Sequence, residues 1–185
     1  LSVCGQPHEW NLANAAQYDD DTCRQFHAWR TEQEPPTVRH DTYFSVWRAL
    51  QLIPEDERRR VLDQIQAWAG DTGAGPRPEY RSVTSDEVRK LAEGGLIEIG
   101  AHTVTHPALC EFSAAEQWEE ITQSKRHLET LLGAPVTSFA YPFGTCSEPT
   151  IKLVQESGFE RACATIPTAI TSSDPNLYEL PRVQV

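Results

Sequence analysis

From residue 81 onward the apolar positions alternate between short runs and helical stripes. The short runs at 96–99, 136–141, 161–165 and 178–185 read as strands. Between them, apolar residues recur at three- and four-residue spacing: Val88, Leu91 and Ala92, then Trp118, Ile121, Leu128 and Leu132, then a shorter stretch near 149–157. Two of these helices carry start and stop signals. Thr84 with Glu87 and Ser113 with Glu116 form capping boxes, and Gly94–Gly95 and Gly133 follow the last helical positions. Strands alternating with helices at this spacing predict βα units in an α/β fold, a parallel sheet or barrel. In such folds the chemistry gathers at the carboxyl ends of the strands.

Residues 1–80 follow a different grammar. The first forty positions scatter Trp, His and acidic residues around the breaker pair Pro35–Pro36. From Asp41, Phe44, Val46, Trp47 and Leu50 make a helical stripe. Pro54 then opens a second helix with Glu55, Asp56 and Glu57 in its first turn and Val61, Leu62, Ile65, Trp68 and Ala69 on one face, ended by Gly70. The pair reads as a helical hairpin whose aromatics are expected in its core. The Gly- and Pro-rich stretch 70–78 lacks the Lys and Ser or Thr of a phosphate loop and reads as a linker. Two domains are therefore expected: 1–80, an irregular segment with a helical hairpin, and 81–185, the βα units.

The strongest chemical signal lies where the first short run ends. His102 and His106 stand four apart in HTVTHP, after Gly100 and before Pro107. Thr103, Val104 and Thr105 are β-branched and the proline disfavours helix before it, so both imidazoles are expected on a loop. Neutral imidazole is a common metal ligand, and two on a tight loop suit one ion of the zinc type, although catalytic zinc normally takes three protein ligands. The alternative is a pair of hydrogen-bonded loop histidines. The YDDDT run, 18–22, offers carboxylates without a strand to present them and reads as a solvated helix start. The turn after the second short run, Tyr141 to Gly144, should face the histidine loop from the next βα unit.

Composition narrows the partners. The net charge of −11 is spread along the chain, with 13 acidic against 8 basic residues in 1–80 and 14 against 8 in the rest, which argues against nucleic acid. No stretch approaches the length of a membrane span, nothing resembles a signal peptide, and the chain reads as soluble and cytoplasmic. Five cysteines, at 4, 23, 110, 146 and 163, form no CxxC pair, which favours a reducing compartment; Cys110 and Cys146, each after one of the two loops, read as buried small apolar groups.

HTVTHP (102–107), FAYPFG (139–144) and ELPRVQV (179–185) together resemble the NodB-homology polysaccharide deacetylases, carbohydrate esterase family 4, over residues 82–185. The resemblance implies a bacterial enzyme built on an irregular (β/α) barrel, with 41–80 as a helical insertion. It also implies a divalent cofactor, zinc or else cobalt, manganese or nickel, held by His102 and His106. Tyr141 would supply a backbone N–H to the oxyanion, and Pro142 and Phe143 would shape the substrate wall. The implied reaction is metal-dependent hydrolysis of N- or O-acetyl groups on a polysaccharide or glycan. The alternative is a catalytically degenerate sugar-binding or structural member of the same fold. Two family motifs find no match: the strand-borne Asp pair that supplies a base and a third ligand, and a late His acting as acid. His127 falls mid-helix, and Asp19, Asp20 and Asp21 lack the strand. The chain is thus expected to be truncated at both ends and, by itself, short of the base and acid that full activity requires.

Overall fold

Asp19 turns the acidic run of the amino-terminal part into a helix start. Its carboxylate accepts from the Thr22 N–H at 2.8 Å and the Thr22 hydroxyl at 2.6 Å. These bonds hold the carboxyl below the usual carboxylate range, the hydroxyl bond contributing most. The computed structural model of the chain describes residues 2, 3, 5–30, 33–70, 81–169 and 176–182. It divides into two compact units, Leu1–Ala74 and Gly75–Val185.

In the first unit, a two-residue antiparallel hairpin, β1 (Ser2–Val3) and β2 (Gln6–Pro7), precedes α1 (Asp20–Phe26), α2 (Val38–Gln51) and α3 (Glu55–Ala69). The expected acidic start of α3 is present and ladders onto the following arginines. Glu55 pairs with Arg58 and Arg59, and Arg60 with Asp56 and Glu57. Ile53 and Val61 form the buried seam, packed by Ala49, Leu50 and Ile65. The expectation of an aromatic core fails here: Trp47 is 41% exposed and Trp68 79%. Two helices bury only the seam between them, and these rings lie outside it. The linker expected at 70–78 falls outside the described residues except for Gly70, which ends α3 in the left-handed region.

In the second unit, α4 (Ser85–Ala92) and α5 (Ala114–Leu132) both begin with the reciprocal capping boxes expected of them. Strand β3 (Ser138–Ala140), helix α6 (Glu148–Glu156) and strand β4 (Arg161–Cys163) follow. β3 and β4 pair in parallel, with Ser138, Phe139 and Ala140 opposite Arg161, Ala162 and Cys163. Ala101 bridges Phe139 and Leu180 bridges Cys163, both in parallel, so four segments lie side by side in chain order. The core of this unit is Ala101, Leu109, Ile121, Val136, Phe139, Tyr141, Val154, Phe159 and Ala162. The α5 and α6 helices are joined by a buried polar link as well as apolar packing: Thr150 donates to Gln117 Oε1 at 2.8 Å, and Gln117 Nε2 donates to the Phe112 carbonyl at 2.9 Å.

Two expected strands are reduced to single residues. The run 96–99 is not a strand: Leu96 is 96% exposed and Ile97 47%, and only Ala101 joins the ladder. Among the described residues nothing pairs with the far edge of this segment, so no second row of hydrogen bonds extends it. The run at 178–185 likewise contributes Leu180, and its last three positions lie outside the described residues. The cysteines also depart from expectation. Of the two expected to be buried, Cys110 is exposed and Cys146 half-buried, packed against the core of this unit from outside it; Cys23 is exposed and Cys163 half-buried. Among the described residues no helix is long and apolar enough to cross a membrane.

Candidate active site

Parallel pairing in chain order puts the carboxyl ends of all four segments on one rim. The histidine loop leaves from Ala101 and the tyrosine turn from Ala140, adjacent in the ladder. Both loops therefore rise beside one another, as expected. Gly100 permits the approach: a Cβ there would stand 3.2 Å from the Ser138 carbonyl oxygen.

His102 Nδ1 lies 2.7 Å from the Ala140 carbonyl oxygen. A carbonyl only accepts, so Nδ1 carries the proton, and in the neutral ring Nε2 carries the lone pair. The His102 and His106 rings meet edge to face with centroids 4.7 Å apart. Phe143 packs against His106 in the same manner, also at 4.7 Å. The structure thus brings together His102, His106 and Phe143, with the buried Pro142 beneath the turn.

The loop backbone is strained. Thr103, His106 and Phe143 have φ of +65°, +57° and +58°. Such values cost about 1–3 kcal/mol each for residues other than glycine, and they persist only where the surroundings enforce them. Here the surroundings are visible. The His106 N–H donates to Thr103 Oγ1 at 3.1 Å, and the Thr103 hydroxyl donates to the His102 carbonyl at 2.5 Å. The Val104 and Thr105 N–H groups both donate to Glu120 Oε2, at 2.7 and 2.9 Å, and the Thr105 hydroxyl donates to Glu120 Oε1 at 2.7 Å. Sequence reasoning missed Glu120. The one available signal was its place in the second turn of α5, the helix that descends from this rim.

Tyr141 differs from its expected role. Its backbone N–H donates to the Cys163 carbonyl at 3.2 Å, extending the β3–β4 ladder. It would reach an oxyanion only by exchanging that bond. Its ring is fully buried and its hydroxyl donates to the Tyr178 carbonyl at 2.9 Å. Burial, and then the nearby Cys146 and Glu179, push the phenol pKa well above its usual value, so it stays neutral. Tyr141 is in this structure the anchor of the turn. Beside it, burial and the adjacent Glu179 push the Cys146 thiol up to about 11, which makes it a poor nucleophile at neutral pH.

The two imidazoles suit a divalent cation by donor type and by the tautomer imposed on His102, whose carbonyl partner fixes the ring as outer partners of metal-binding histidines do. They do not complete a coordination set: among the described residues no group of three or more His, Cys, Asp or Glu converges. Asp19, Asp20 and Asp21 belong to the start of α1, as expected, and His127 is exposed in the middle of α5.

Comparisons with known proteins bear on the same stretch. Residues 47–162 match the family model described as polysaccharide deacetylase. A Bacillus subtilis (strain 168) protein, YxkH, named provisionally as a polysaccharide deacetylase, is 30% identical over 103 residues, 56% of this chain and 36% of that protein. The Streptococcus pyogenes deacetylase PplD, solved in complex with acetate, superposes with a TM-score of 0.54 at 22% identity, covering 58% of this chain and 47% of that one. BC0361, a polysaccharide deacetylase from Bacillus cereus, gives 0.51 at 22% identity, covering 69% and 43%. At these identities the two structures speak to the fold alone, and the chain spans less than half the length of each of the three relatives. The family match runs over more than half of the chain and takes in both rim loops, and on that ground the chain belongs to the polysaccharide deacetylase family.

Proposed function

We propose that this chain is part of a metal-dependent carbohydrate deacetylase acting on N- or O-acetyl groups of a polysaccharide or glycan. The observation that carries the reading is the pairing of His102 and His106 on one rim, with the His102 ring fixed in the tautomer that leaves Nε2 as a ligand. A divalent cation, zinc or else cobalt, manganese or nickel, would polarise the acetyl carbonyl and acidify water when bound. His102 and His106 would hold that ion. Phe143, packed on His106, and Pro142 would form the wall against which the sugar lies. Tyr141 would hold the turn in place, and its N–H would serve an oxyanion only after release from Cys163. The base, the acid and a third ligand are not supplied by any described residue grouped with the histidines.

In this reading the four parallel segments form an arc of an irregular (β/α) barrel, 81–185 being its βα units and 1–80 an amino-terminal segment with an inserted helical hairpin. The test uses the full-length protein stripped of metal and reconstituted with each of the four ions, with acetate release measured from N- and O-acetylated glycans. Replacing His102 or His106 by Ala is expected to lower metal-dependent release by at least about a hundredfold. Undiminished release by the double variant would exclude the histidines from the reaction.

A further inference from the structure

We propose that Glu120 is the positioning residue of the histidine loop: an internal carboxylate that occupies a backbone anion site and so sets the spacing and orientation of His102 and His106. Left-handed geometry at Thr103 turns the next two N–H groups to one side, an arrangement that attracts an anion. The anion is supplied by the chain. One Glu120 oxygen takes both N–H groups, of Val104 and Thr105, and the other takes the Thr105 hydroxyl. Three charge-assisted bonds from one side chain converge on Val104 and Thr105, two of the three residues that separate the two imidazoles.

Glu120 is itself held from behind. It precedes Ile121, fully buried, and follows Gln117, whose amide ties α5 to Phe112 and to Thr150 of α6. The carboxylate therefore stands on a rigid helix and acts on a strained loop. That loop keeps positive φ at Thr103 and His106, the second of which is a metal ligand in the reading above. Without Glu120 the two N–H groups would turn to solvent, and nothing in the local sequence favours positive φ at a β-branched threonine. The three bonds of Glu120 act on the backbone of 104 and 105 and on the Thr105 hydroxyl, and its effect on the histidines passes through that segment.

Two consequences separate the clamp from the metal reading, on which only the second rests. In the metal-free protein, amide hydrogen exchange at Val104 and Thr105 is expected to be slow, and Glu120→Ala should accelerate it about tenfold or more. Glu120→Gln, which keeps one oxygen able to accept both N–H groups, should retain part of the protection, while Glu119→Ala, one residue away on the exposed side, should change neither amide. Calorimetric titration with zinc should show an affinity about 10–100-fold weaker for Glu120→Ala than for the parent. Unchanged exchange in Glu120→Ala, or equal acceleration in Glu119→Ala, overturns the proposal. So does unchanged zinc affinity alongside opened amides. Should the parent bind no zinc, the metal reading falls and the exchange data alone decide the clamp. A Glu120→Ala variant that does not fold leaves the decision to Glu120→Gln, whose amides must then exchange faster than those of the parent.

Discussion

At the scale of single residues, the rim is held by conformations that few side chains choose for themselves. Thr103, His106 and Phe143 take positive φ, and Gly144 follows Phe143 at +70°. Gly144 is held by space as well as by angle: a Cβ there would lie 1.9 Å from Thr165 Oγ1 and 2.4 Å from Thr165 Cβ. The Thr165 hydroxyl in turn donates to the Phe143 carbonyl at 3.3 Å, so the turn and the loop after β4 interlock. Gly133, at the end of α5, has nearly the same φ, +65°, with nothing within 4 Å of its missing Cβ. The two glycines separate angle from space. Gly133→Ala should cost about 1–2 kcal/mol for the left-handed backbone alone. Gly144→Ala should cost about 1–3 kcal/mol more, because Thr165 must move. Urea denaturation midpoints of the two variants check this, and equal costs would mean that Thr165 yields freely.

At the scale of elements, the parallel segments are short and are fastened from below as well as along the ladder. Glu98, three residues before Ala101, accepts from the Ser138 hydroxyl at the start of β3 and from Arg161 at the start of β4, the latter at 2.6 Å. One carboxylate spans three neighbouring segments at the end opposite the histidines. The Ser138 hydroxyl first, and then Arg161, hold its carboxyl below the usual carboxylate range. A depressed folded value means that the stabilisation is complete at neutral pH, above the unfolded carboxyl's titration, and is lost as pH falls through that range toward the lowered value. Denaturation midpoints followed from neutral pH to about pH 3 should therefore fall less steeply in Glu98→Gln than in the parent. Parallel acid limbs in the two proteins would show that the staple contributes nothing. The helices were legible in this sequence because their signals are local: Thr84 with Glu87, Ser113 with Glu116 and Gly133 act within one turn. The strands were less so. An apolar run such as 96–99 states a tendency to be covered, whereas pairing depends on a neighbour about forty residues away, and this segment has that neighbour only at Ala101.

At the scale of the whole molecule, the two histidines and the tyrosine turn meet because a parallel ladder in chain order carries both loops to one rim. If they form a metal site, ligand linkage follows. At metal concentrations near 100 times Kd, binding confined to the folded state should add about 2.7 kcal/mol to the stability of this unit. Thermal denaturation with zinc and then with excess chelator tests it: the midpoint should rise and return, and His102→Ala with His106→Ala should abolish the rise. A rise unaffected by the double variant would place the metal elsewhere. The sequence by itself determined the helix ends, the order of βα units and the candidacy of His102 and His106, since these follow from capping, periodicity and residue chemistry within a few positions. Only the tertiary structure decided that His102 leans on the Ala140 carbonyl, that Tyr141 commits its N–H to Cys163, and that Glu120 grips the loop between the histidines. Those are contacts between residues 15 to 38 positions apart, and a hydrogen-bond partner at that range is chosen by the path of the chain through space, which local patterning does not encode.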